Sequence, residues 1–147
     1  MSDSTQRLLD SIAYVAWHGQ KLQLREPGRA LVVQPDRADL HNYVGTTHAG
    51  AIYTLAETAA GVAADSVAAT MGGFVLLAAA ELRYTRRAQG TLEAEARLES
   101  TADVEALARE YVDSGRGRLS VGVHVRDAGG EAVFDGTFHY AIRKRTR

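Results

Sequence analysis

A chain of 147 residues, 46% hydrophobic and 24% charged, is long enough to bury one sizeable core and has the composition of a globular domain, not of a disordered or fibrous chain. The formal charge of −1 gives no sign of the clustered positive face that a nucleic-acid binder carries, and the lack of cysteine excludes disulfides, thiolate nucleophiles and cysteine zinc sites. No apolar run approaches the ~20 residues that span a bilayer and residues 1–10 lack a signal peptide's apolar stretch; a single domain over residues 1–147 is expected, cytoplasmic, with no membrane and no nucleic-acid partner.

Residues 5–17 place Leu8, Leu9, Ile12, Val15 and Ala16 at helical spacing, with Ser4 as N-cap and Gly19 as stop, so an N-terminal helix is predicted within residues 1–18. Strands at 21–25 and 29–34 flank the turn residues Glu26, Pro27 and Gly28 and read as a hairpin. Residues 36–48 are polar, with Asn42, Gly45 and two threonines, and read as an ordered loop of the kind that often carries function. Residues 49–69 are rich in alanine with thinly spread polar positions, the pattern of a buried helix.

From Phe74 the period changes to two. Phe74, Leu76, Ala78, Ala80, Leu82 and Tyr84 alternate with a set that ends in Glu81 and Arg83, a long strand. Residues 91–99 oppose Leu92, Ala94, Ala96 and Leu98 to Glu93, Glu95, Arg97 and Glu99, one dry face and one wet. Residues 102–112 carry Val104, Leu107, Ala108 and Tyr111 on one side of a short helix at an edge of the sheet. Leu119, Val121, Val123 and Val125, a turn at 127–130, and Phe134, Phe138, Tyr140 and Ile142 make a second hairpin. Apart from the helical connection, the last four strands read as consecutive antiparallel hairpins. The basic residues at 143–147 read as a solvated tail, with a polyanionic ligand as the alternative.

This order predicts an α+β fold. A sheet of about six strands with one apolar face has to cover that face, and the only element apolar on most sides is the helix from residue 49, so the sheet should curl around it.

Asn42, then His48-Ala49-Gly50, then Leu55-Ala56-Glu57, with Tyr84-Thr85-Arg86-Arg87-Ala88 closing a strand further on, resemble the PaaI-like hotdog-fold acyl-CoA thioesterases. In that family an asparagine sits in the loop before the central helix, the helix opens on His-Gly-Gly, and an acid follows nine positions after the histidine. Here Ala49 replaces the first glycine, and Glu57 stands where many members have aspartate. Residues 76–80 supply no hydroxyl where some relatives place one, and the helix at 102–112 is longer than the usual link. The resemblance implies a curled sheet around one long helix, a homodimer or homotetramer, an acyl-CoA substrate, and neither cofactor nor metal.

Thioester hydrolysis builds charge on the carbonyl oxygen, and a fixed donor there contributes roughly 3 to 4 kcal/mol in other enzymes. The amide of Gly50, near the helix start, has no partner within the helix and lies where the helix dipole favours an anion. Glu57 lies two turns further on the same side, ~10 Å along the axis, so one helix cannot bring both to one atom; a partner subunit's helix has to supply the other half. Glu57 then acts as general base or as nucleophile, or else is a solvated residue on an amphipathic helix. Asn42 would orient water or thioester, its alternative being a turn residue. His48 either takes part in the site or holds the loop. Tyr53, Thr54 and Gly61 are candidates for the acyl pocket or for ordinary packing. Arg86 and Arg87 are candidates for CoA phosphates or exposed residues of a surface hairpin. Two other readings are an acyl-CoA binder without hydrolysis and a 3-hydroxyacyl thioester dehydratase pairing His48 with Glu57. His41, His48, His124 and His139 have no metal-ligand spacing.

Overall fold

The computed structural model describes residues 3–146. Residues 1–2 of the expected helical segment and Arg147 of the basic tail lie outside them. The order is α1 (Asp3–Ser11), α2 (Ala13–His18), β1 (Lys21–Glu26), β2 (Arg29–Gln34), a 3-10 turn (Ala38–Leu40), α3 (Ala49–Ala68), a second 3-10 turn (Ala69–Met71), β3 (Gly73–Tyr84), β4 (Leu92–Leu98), α4 (Thr101–Ser114), β5 (Arg116–Arg126) and β6 (Ala132–Lys144). All six strands form one antiparallel sheet in the order β1-β2-β4-β5-β6-β3. The sheet wraps the long helix, the hotdog arrangement expected.

Alternation decides which face is dry. Ala30 and Val32 of β2, Leu92, Ala94 and Ala96 of β4, Leu119, Val121, Val123 and Val125 of β5, and Phe134, Phe138, Tyr140 and Ile142 of β6 are all buried. They meet an α3 whose buried side is mostly alanine, so helix and sheet approach closely. Its buried hydroxyls are satisfied locally: Thr58 donates to the Thr54 carbonyl, and Ser66 donates to the Ala63 carbonyl while accepting from the Gly28 amide.

Five expectations are corrected. The N-terminal helix breaks at Ile12, whose extended backbone (φ −88°, ψ 103°) separates α1 from α2; Ser4 lies inside α1 rather than capping it, while Gly19 ends α2 in a left-handed conformation as expected. A bulge between Leu77 and Ala79 shifts the phase of β3, so Val75, Leu77, Ala80, Leu82 and Tyr84 lie opposite the inward residues of β6, and Leu76 is exposed. β3 and β4 are not a hairpin: β3 pairs with β6 at the sheet edge, and β4 lies between β2 and β5. α4 does not sit on an edge but over the interior strand β5, with Leu107 and Tyr111 buried and Leu107 seated on Gly117. The basic tail is shorter than expected, because Arg143 and Lys144 belong to β6, paired with Phe74 and Gly73.

Candidate active site on the central helix

Along α3 the solvent-accessible positions after the opening Ala49 and Gly50 are Tyr53, Glu57, Gly61 and Asp65, each four residues from the last. Every other residue of the helix is buried. A spacing of four keeps these positions on one face, so the helix presents a single stripe, and Glu57 is in its middle.

The Glu57 carboxylate accepts a hydrogen bond from the Tyr140 hydroxyl at 2.6 Å, and the same hydroxyl lies 3.2 Å from the Glu57 main-chain oxygen. Burial raises the Glu57 carboxyl above the ordinary carboxylate range, and the Tyr140 bond opposes this only in part. The Tyr140 phenol is raised strongly, first by burial and then by the neighbouring carboxylate. A Cβ added at Gly61 would sit 3.4 Å from Glu57 Oε2 and 3.6 Å from Tyr140 Oη, so glycine keeps the space beside the carboxylate open. Glu57 and Gly61 open into a groove of about 260 Å³ between α3, the N-terminal helices and the start of β3.

At the helix N-terminus the Gly50 amide finds its partner in the N-cap and not within the helix. His48 is the N-cap, and its Nδ1 accepts from the Gly50 amide at 2.8 Å. Asn42 spends its side chain inside its own loop: Oδ1 accepts from the amides of Val44 and Thr46, and Nδ2 donates to Thr46 Oγ1. The loop is tied down further by His48 N to the Leu40 carbonyl and Thr47 N to the Ala88 carbonyl.

The remaining expected residues are spread around this centre. Tyr53, one turn before Glu57, packs its ring 5.7 Å from that of Phe138, and burial, then the charge of Glu57, raises its phenol. Thr54 is buried, donates to the Gly50 carbonyl and lies 3.1 Å from Tyr14 Oη. Arg86 pairs with Glu131 at 3.1 Å and Arg87 is exposed, both in the connection that carries the chain from the edge strand to β4. Within one chain the structure therefore brings together Glu57, Gly61 and Tyr53, and leaves Asn42, His48 and Gly50 as a separate cluster at the helix start. Tyr140 was not singled out by sequence. Its signal is present all the same: a tyrosine on the inward face of a core strand needs a buried partner for its hydroxyl.

No helix among the described residues is long and apolar enough to cross a membrane. No curated protein shows detectable similarity to the chain. Among solved structures, a Pseudomonas aeruginosa protein of unknown function described as a probable thioesterase is 27% identical, with 97% of this chain and 95% of that one covered and a TM-score of 0.84. A thioesterase family protein from Silicibacter pomeroyi (17% identity, 96% of each chain, TM-score 0.75) and the E. coli PaaI protein from the phenylacetic acid degradation operon (17%, 96% and 90%, TM-score 0.69) share the fold. Residues 11–142 match the model of a family described as a domain of unknown function, DUF4442. The chain thus belongs to the DUF4442 family and has the hotdog fold.

Proposed function

We propose that the protein hydrolyses an acyl thioester, of coenzyme A or a related acyl carrier, with Glu57 as the catalytic carboxylate. The observation that carries this reading is the Glu57 carboxylate itself: desolvated, fixed by Tyr140 and facing a groove from the one accessible stripe of a buried helix. A desolvated carboxylate is a stronger base than a solvated one, and its desolvation costs folding energy that a purely structural position has no need to incur. The hotdog neighbours named as thioesterases support the same chemistry.

In this reading Glu57 takes a proton from the attacking water, or attacks the carbonyl directly and forms a mixed anhydride that water then opens. The C–S bond breaks, and a thiol and a carboxylic acid leave. The oxyanion is met by the Gly50 amide of a partner subunit, whose carbonyl ligand takes the place of the His48 imidazole. Two copies come together through β3, an edge strand with Leu76 and Leu77 57% and 36% exposed. His48 acts as the cap of α3, Asn42 as the fastening of the loop that carries His48, and Tyr53 as a wall of the site. Arg86 and Arg87, which follow closely after Tyr84, whose hydroxyl donates to the Ala49 carbonyl at the start of α3, are the groups assigned to the CoA phosphates.

A second reading, an acyl-thioester binder that does not hydrolyse, is favoured by the bond between the Gly50 amide and His48, which occupies the oxyanion donor. Release of thiol from acyl-CoA substrates separates the two. Hydrolysis that Glu57→Gln lowers by several orders of magnitude, with the fold intact by circular dichroism, supports the enzyme; binding without thiol release from any acyl group overturns it.

A further inference from the structure

We propose that α1 and α2 form one wall of an acyl groove that selects a straight apolar acyl chain of medium length. This rests on the reading of Glu57 as the site of thioester chemistry and adds to it the class of acyl group.

The groove runs along α3 from Glu57 past Gly61 and Val62 to Asp65, eight residues or about 12 Å of helix. Leu8, Leu9, Ile12 and Val15 supply one side, and Phe74 and Val75 of β3 the other. Its two ends differ in chemistry. At one end lies the carboxylate, with the floor held open by Gly61. At the other, Asp65 pairs with Arg25 at 3.5 Å and the Arg145 guanidinium lies over the Phe74 ring. The thioester carbonyl at Glu57 therefore directs the acyl tail towards Asp65, between apolar walls, and an ion pair stands where the walls stop.

The wall is fixed rather than loose. Gln6 Oε1 accepts from the Leu22 amide at 2.8 Å and ties α1 to the sheet. Tyr14 Oη, 3.1 Å from Thr54 Oγ1, ties α2 to the first turns of α3. On this anchored wall Leu8 and Ile12 are 53% and 44% exposed. A chain lying in the groove removes them from water. A two-carbon acyl group leaves them uncovered and gains little, whereas a long chain has to disrupt the Arg25–Asp65 pair or pass Arg145.

The test uses the intact protein with acetyl-, butyryl-, octanoyl- and palmitoyl-CoA for turnover, and the thioethers S-ethyl-CoA and S-octyl-CoA for calorimetric binding, which needs no catalysis. Wild type is expected to favour octanoyl-CoA over acetyl- and palmitoyl-CoA by at least tenfold in kcat/KM. Ile12→Trp, a partly exposed site that leaves the core untouched, should move the optimum to butyryl-CoA. Leu8→Glu should lower octanoyl turnover and S-octyl-CoA affinity tenfold, a larger loss than it causes with acetyl-CoA. Equal turnover along the series, or a profile that neither variant alters, overturns the groove while leaving Glu57 chemistry standing. No hydrolysis of any substrate, with S-octyl-CoA bound more tightly than S-ethyl-CoA through Leu8, overturns the chemistry while leaving the groove. Equal affinity for the two thioethers overturns the groove whatever the turnover.

Discussion

Burial and the Tyr140 hydroxyl act on Glu57 in opposite directions, and burial is the larger. A base of this kind works only when ionised, so the acid limb of kcat/KM should have its midpoint above 4.5, the ordinary value for glutamate. Tyr140→Phe removes the hydrogen bond that favours the charged form. The limb should then move further up, with kcat reduced roughly tenfold or more and KM changed less, as expected for a group that orients the general base. A Tyr140→Phe enzyme with the wild-type pH profile would reduce the tyrosine to packing. The same shift has a thermodynamic side. In the unfolded chain the carboxyl ionises near its ordinary value; in the fold it ionises only at higher pH. Below the unfolded value both states hold the proton and Glu57 costs nothing. As pH rises through the folded value, the unfolded state is favoured. Glu57→Gln should therefore melt a few degrees above wild type at pH 7, and the gap should close near pH 4. Glu95 and Asp39, held low by Arg29 and Arg37, act in the opposite sense, losing their contribution as pH falls, but they are common to both proteins and cancel in the difference.

At the scale of elements, the cap of α3 separates a structural role from a catalytic one. His48→Ala removes the acceptor of the Gly50 amide, and loss of an N-cap costs about 1 kcal/mol. The melting temperature should fall while kcat/KM holds, because the amide is released to substrate; a loss of several orders of magnitude would make the imidazole part of the chemistry. α4 supplies a second test. Leu107 rests on Gly117 with no room for a Cβ, so Gly117→Ala should destabilise by roughly 1–3 kcal/mol, and Leu107→Ala in that background should recover part of it. The elements that sequence located well are those with a single unambiguous pattern. Residues 91–99 carry charge on every second position, and α3 is too apolar to belong anywhere but the core. What it missed has a physical cause in each case. Both phases of residues 74–80 are apolar, so a one-residue bulge leaves no trace in the alternation. The helix break at Ile12 falls between residues that suit a continuous helix equally well. The pairing of β3 with β6 instead of β4 is a long-range choice, set by which inward faces must close over α3 and not by the connection. At the proposed site, Glu57 was singled out by its resemblance to a family motif, nine positions after His48, and Gly61 by its place one turn further on the same helix face. Tyr140 was not, because it approaches from a strand 83 residues away.

For the whole molecule, the proposed hydrolysis asks for more than one chain. The Glu57 carboxylate and the Gly50 amide lie on one helix about two turns apart, and a rigid helix cannot bend them onto one carbonyl. The proposed route to a partner is β3, an edge strand on which the apolar Leu76 and Leu77 are both accessible. Sedimentation should give at least twice the mass of one chain, and Leu76→Lys, which puts a charge on the edge, should yield a monomer without activity. Subunit complementation tests the shared site itself. Gly50→Pro deletes the amide proton at the second position of α3, where the first-turn geometry tolerates proline. Glu57→Gln deletes the base. Each homodimer should be inactive. Mixed and reassembled at random, half of the dimers are heterodimers, and each has one site that joins an intact Glu57 to an intact Gly50, so activity should return to about a quarter of the wild-type level. If carboxylate and amide acted within one chain, every site in the mixture would lack one of them and no activity would return.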